Sequence, residues 1–184
     1  TETIHSGDPF VYSLFSTDGE IFAWNNIPGR AILYDTQAGG LKWERSIPPG
    51  DPNNAVIDNN GNPIINTSDS LAKLSNETGE LLQEVPGYSQ GGQRRYGNTG
   101  YVSTSEGLMK YNLDDITKNQ TVDIPGGGWW RGGLIKLNEE NVVVGPAASG
   151  NIKKIDSNTG EVRATFEKLG GYDRSIASLG DYVA

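Results

Sequence analysis

Three stretches of the chain combine residue types that can grip a sugar ring or anchor a protein partner: "PGYSQGGQRRYGN" (86–98), "PGGGWWRGG" (125–133) and "LGGYDRS" (169–175). Each carries paired glycines, an aromatic side chain and arginine. In the second, Trp129 and Trp130 are adjacent, so on an extended backbone they point to opposite faces. One can enter a seam between packed sheets while the other stays beside Arg131 as a stacking platform. Arg94, Arg95 and Tyr96 in the first stretch, with Tyr172 and Arg174 in the third, complete the candidate set. The same composition also has a structural reading, in which Gly-Gly permits a tight crossing, the aromatics pack there and the arginines bond backbone carbonyls. Sequence alone leaves both open.

Other chemistries find little support. His5 is the single histidine, which removes Ser-His-Asp catalysis and histidine metal sites. "DNNGN" (58–62) alternates Asx oxygens as a calcium loop does, but its glycine is not at the sixth position and no glutamate follows at the twelfth. An Asx-rich hairpin turn is the expectation there. Asp114 and Asp115 read as solvated surface. No cysteine is present, so thiolate sites and disulfides are impossible. No catalytic residue, metal or cofactor is therefore expected. Fifteen basic against twenty-three acidic side chains give a net charge of -8, which repels a phosphate backbone and argues against nucleic acid. No apolar run reaches the roughly 18 residues of a membrane span. The start, "TETIHSGDPF", lacks Met and a signal-peptide core, so the chain reads as processed, trimmed or part of something longer. N-x-[ST] matches at Asn66, Asn76 and Asn119 are weak pointers to an extracellular or cell-surface setting.

The elements that must hold the candidate residues repeat. "GRAILYDTQAGGLKWERSIP" (29–48), "DSLAKLSNETGELLQEVP" (69–86), "EGLMKYNLDDITKNQTVDIP" (106–125) and "SGNIKKIDSNTGEVRATFE" (149–167) align on Tyr34, Leu74, Tyr111 and Ile155, at intervals of 40, 37 and 44 residues. Between these lie short strand-like runs bounded by Gly, Asn, Asp and Pro, with no sustained helical period. About four strands per forty residues is the pattern of propeller blades, which stack because one four-stranded sheet cannot bury both its faces alone. The near-copies "KLSNETGE" (73–80) and "KIDSNTGE" (154–161) fall at the hairpin between third and fourth strands, where glycine accepts positive φ.

At these residues the chain resembles the quinoprotein-like propeller repeat. "LYDTQAGGLKW" supplies Tyr34, Asp35, Gly39 and Trp43; "KLSNETGELL" supplies Thr78, Gly79 and Glu80; "KIDSNTGEV" supplies Asp156, Thr159, Gly160 and Glu161. The resemblance implies structural turns at Gly39, Gly79, Gly160, Thr78 and Thr159, and a docking tryptophan at Trp43 whose place is taken by Gln83 and Ala164. It also implies a quinone-dependent dehydrogenase as one possible activity, although the adjacent-cysteine ring common in those enzymes cannot form here.

The expectation is an all-β propeller of four-stranded antiparallel blades over residues 1–184, with blades at about 10–48, 53–86, 94–125 and 129–167 and a partial one at 172–184, belonging to a ring of six to eight. The expected function is a non-catalytic scaffold that engages a protein or glycan through its loop rim within a larger assembly. A fragment of a quinone-cofactor dehydrogenase and a carbohydrate-binding lectin are the alternatives.

Overall fold

In a computed structural model the described residues are 13–17, 19–25, 29–48, 55–87, 92–104, 107–124, 134–136, 138, 141–144, 151–166, 178–179 and 182–183. Every regular element among them is a strand. The chain divides into two compact units, Thr1–Ser89 and Gln90–Ala184.

The first unit holds two four-stranded sheets, each an antiparallel meander in chain order. One is β1 (Ser13–Thr17), β2 (Glu20–Asn25), β3 (Arg30–Asp35) and β4 (Gly40–Ser46); the other is β5 (Val56–Ile57), β6 (Pro63–Asn66), β7 (Ser70–Leu74) and β8 (Leu81–Pro86). The second unit repeats the plan with β9 (Gln93–Tyr96), β10 (Thr99–Ser103), β11 (Gly107–Asn112) and β12 (Asn119–Asp123), then β13 (Leu134–Lys136), β14 (Asn141–Val144), β15 (Ile152–Asp156) and β16 (Val162–Phe166). A two-stranded pair, β17 (Ser178–Leu179) and β18 (Tyr182–Val183), follows.

Burial falls from the middle of a sheet to its outer strand. β6 and β7 are buried along their whole length, as strands covered on both faces must be. In β4 only Trp43 is buried, and in β8 only Val85. Within the first unit the two sheets share one core of Phe22, Trp24, Ala31, Leu33 and Trp43 with Ala55, Ile65, Ala72 and Leu74. Within the second, Tyr101, Leu108 and Ile124 pack with Ile155, and Tyr96 and Val162 flank them.

The repeated phrase is a turn with its own hydrogen bonds. Asp35 Oδ1 accepts the Gln37 and Ala38 amides, both at 2.8 Å. Ser75 Oγ accepts those of Glu77 and Thr78, and Asp156 Oδ1 those of Asn158 and Thr159. Such local caps are why Asx and Ser recur at turns. Thr78 and Thr159 then accept the amides of Glu80 and Glu161, each at 3.3 Å. Gly39, Gly79 and Gly160 close the turns at φ 70, 71 and 77, and in each pair the register slips at the bulge before Tyr34, Leu74 or Ile155. The third repeat, which lacks that glycine, builds a different loop. Asn112 Oδ1 caps the Asp114 and Asp115 amides, Ile116 is fully buried, and the Asn119 amide holds the Ile116 and Thr117 carbonyls.

Two of these turns are also docking points. The Trp43 indole lies on Gly79, where an added Cβ would come within 2.7 Å of two ring carbons, and its Nε1 donates to Asn76 O at 2.8 Å. Arg45 Nε donates to Thr78 O at 3.1 Å, and Lys42 reaches Glu77 at 3.4 Å. In the second unit no tryptophan is needed. The Asp123 carbonyl and Val122 of β12 press directly on Gly160, and Lys110 Nζ donates to Asn158 Oδ1 at 2.8 Å.

Candidate binding surface

Of the candidate rim residues, Arg94, Arg95 and Tyr96 are described, and they sit on β9, the first strand of its sheet, not in the crossing that precedes it. Strand alternation separates them. Gln93 is fully buried, Arg94 and Tyr96 are half-buried, and Arg95 is exposed. Arg94 Nη1 donates to the Gln93 carbonyl at 3.1 Å and Arg95 Nε to the Gly97 carbonyl at 3.0 Å. Tyr96 meets Tyr101 edge-on, with ring centroids 6.1 Å apart, a geometry aromatic pairs favour. Both arginines thus use part of their donor set on local carbonyls, and Arg95 is exposed on the face of β9 opposite Tyr96. Trp129, Trp130, Arg131, Tyr172, Arg174 and His5 lie outside the described residues.

The "DNNGN" stretch forms the Asx-rich hairpin, and its carboxylate is already occupied. Asp58 Oδ1 accepts the Asn60 and Asn62 amides at 2.8 Å, and Oδ2 accepts Asn62 Nδ2 at 3.0 Å and Lys73 Nζ at 2.6 Å. The side chains of Asp58 and Lys73 are 0% and 5% exposed. An ammonium therefore stands where a cation would have to bind. Burial raises the Asp58 pKa, but Lys73 and the Asn62 and Asn60 donors outweigh it and hold the carboxyl below its ordinary value. Lys73 was missed because one lysine in "SLAKL" resembles a solvent-facing strand position; only the covering sheet faces bury it.

Further turn carboxylates are likewise engaged. Asp156 is drawn down to about 2 by Arg163 and then by the Asn158 and Thr159 amides. Asp35 lies below its ordinary value because of the Ala38 and Gln37 amides. Asp115 is lowered chiefly by the Thr117 hydroxyl, and Asp114 accepts Asn98 Nδ2 at 2.7 Å. These two carboxylates shape the turn while staying at the surface, Asp114 exposed and Asp115 half-buried. Among the described residues no group of three His, Cys, Asp or Glu converges. Of the three sequon asparagines, Asn66 is buried at 2% exposed, Asn76 Nδ2 donates to Asn60 O, and Asn119 bonds two carbonyls as described above.

No family model and no curated protein matches the chain. Solved structures do. BamB from Moraxella catarrhalis is 14% identical with a TM-score of 0.67, over 90% of this chain and 54% of that one. Virginiamycin B lyase from Staphylococcus aureus is 16% identical, with a TM-score of 0.66, over 89% and 58%. The computationally designed Ika8 protein is 13% identical at a TM-score of 0.66, over 92% and 53%. BamB and the lyase are propeller proteins, and BamB is built of the quinoprotein-like repeat. The fold is accordingly a β-propeller of four-stranded antiparallel blades. The chain spans somewhat more than half the length of each of these neighbours.

Proposed function

We propose that this chain is a propeller scaffold that binds a protein or glycan partner through its loop rim and performs no catalysis, within an assembly at the cell surface or outside the cell. The observation that carries the reading is the placement of Arg95 and Tyr96. An exposed guanidinium and a half-buried ring at the start of a sheet form the described part of a Gly-Gly, aromatic and arginine pattern that occurs three times in the sequence. Guanidinium donors and aromatic rings presented at one end of a sheet are suited to sugar rings and to protein hot spots. The saturation of Asp35, Asp58, Asp115 and Asp156 by turn amides and fixed cations supports a structural use of the acidic residues. The length relation to the neighbours is in keeping with a ring of six to eight blades, of which these residues are a part.

The test is a glycan array together with a pull-down from surface-protein extract, using the native chain, Arg95→Ala and Trp130→Ala. Capture that both variants lose supports the rim, and the array tells a glycan from a protein. An absorbance spectrum and metal content showing a stoichiometric quinone and calcium on native material would overturn the non-catalytic reading.

A further inference from the structure

The hairpin joining β5 to β6 carries the chain's single Asn-Gly pair, Asn60 followed by Gly61. The pair suits a tight turn because glycine accepts positive φ, and Gly61 sits at φ 84. The same pair has a chemical property: the glycine nitrogen can attack the preceding side-chain amide, since no Cβ stands in the way. Asn60 is exposed. Its backbone is held, with N–H donating to Asp58 Oδ1 and C=O accepting Asn76 Nδ2, but its side-chain amide makes no hydrogen bond with the described residues.

The attacking atom is lightly held as well. Gly61 N–H reaches Asp58 O at 3.4 Å, outside the usual span of such bonds. The carbonyl of the Asn60–Gly61 peptide bond meanwhile accepts Asn76 Nδ2 at 3.2 Å. A donor on that carbonyl stabilises the negative charge the peptide unit takes on when its nitrogen loses a proton. Asn76 is fixed there: its own N–H donates to Asn62 Oδ1 at 2.9 Å, and its Nδ2 lies 2.7 Å from where a Cβ on residue 61 would stand.

We propose that Asn60 is a self-modification site, converting with time to isoaspartate or aspartate through a cyclic imide, with Asn76 as its positioning residue. The Gly61 nitrogen gives its proton to solvent and bonds to Asn60 Cγ; the Cγ–Nδ2 bond breaks, and the nitrogen leaves as ammonia, taking a proton from solvent. Water then opens the imide at either carbonyl. One water is consumed, one ammonia is released, and nothing is oxidised or reduced. The isoaspartate product has an extra backbone carbon between the amides of residues 60 and 62, which both rest on Asp58 Oδ1 at 2.8 Å. That cap cannot then hold both, so the hairpin loosens beside the buried Asp58–Lys73 pair. None of the rim residues takes part.

The native chain is incubated in neutral and mildly alkaline buffer and followed by peptide mass mapping and isoaspartyl methyltransferase labelling. Replacement of NH2 by OH is expected in the fragment holding residue 60, with labelled isoaspartate, at a rate that rises about tenfold per pH unit because the nitrogen must first lose its proton. Asn60→Gln should abolish both signals. Asn76→Ala should slow conversion about fivefold, whereas a change that merely loosened the turn would speed it. Conversion of the urea-unfolded chain but not of the folded one overturns the proposal, as does labelling that Asn60→Gln retains. An unchanged or faster rate in Asn76→Ala overturns the part given to Asn76; if that variant does not fold by circular dichroism, Asn76→Asp, which keeps the shape and removes the donor, decides in its place.

Discussion

Removing the Trp43 ring and filling the space above Gly79 should not be independent changes. A buried tryptophan covers about 200 Å², which at about 25 cal/mol per Å² is about 5 kcal/mol. A compact unfolded chain trims that to about 3–4 kcal/mol for Trp43→Ala. Gly79→Ala carries two costs. The left-handed backbone at φ 71 costs an alanine about 1 kcal/mol, and the new methyl meets the indole at 2.7 Å, adding about 2 kcal/mol as overpacking. Arg45 Cγ, at 2.8 Å, belongs to a flexible side chain and can move aside. In the Trp43→Ala background the ring is gone, so Gly79→Ala should cost only the backbone share. The expected coupling is about 2 kcal/mol, measured by guanidinium unfolding of the four proteins with tryptophan fluorescence and far-UV circular dichroism. Effects that add to within about 0.5 kcal/mol would mean that the indole does not rest on this glycine, and the docking account would fall.

The turn glycines should rank by what covers them. Gly39 has open space, so alanine there should cost about 1 kcal/mol. Alanine at Gly160 meets the Asp123 carbonyl, a backbone atom that cannot swing away, and should lower the melting temperature several degrees further; equal melting temperatures would refute the ranking. Lys73→Met strands the buried Asp58 carboxylate and should cost about 3–5 kcal/mol in urea unfolding. Adding Asp58→Asn should recover much of that loss, and a single-variant cost below about 1 kcal/mol would refute the pair's importance. For Asp156 the folded pKa of about 2 lies below the ordinary 3.8, so its contribution is present above the higher value and is lost as pH falls through the lower one. Asp156→Asn should therefore melt earlier than the native chain at neutral pH, with the gap closing between those two values; a gap that persists at pH 2 would contradict the assignment.

The repeat was legible because its causes are local. Asp35, Ser75 and Asp156 cap amides two and three residues ahead, and Gly79 and Gly160 end those same turns, so hydrogen bond, φ and spacing all sit within one short phrase. Strand alternation and the forty-residue interval disclose the four-stranded plan for the same reason. For the rim candidates the composition singles out Arg94, Arg95 and Tyr96, but their placement on β9 depends on where pairing with β10 begins. The pairing of Asp58 with Lys73 was not legible at all.

What the sequence determined by itself is the unit: four short strands, a capped hairpin, and an acidic, cysteine-free chain that can form no thiolate site. What only the tertiary structure decided is what lies on top of each unit. Trp43 covers Gly79, the β12 backbone covers Gly160, and Lys73 neutralises the carboxylate of a would-be cation loop. These contacts join residues far apart in the chain, and their energies come from burial and desolvation, which a turn motif cannot encode until a second sheet excludes water from it.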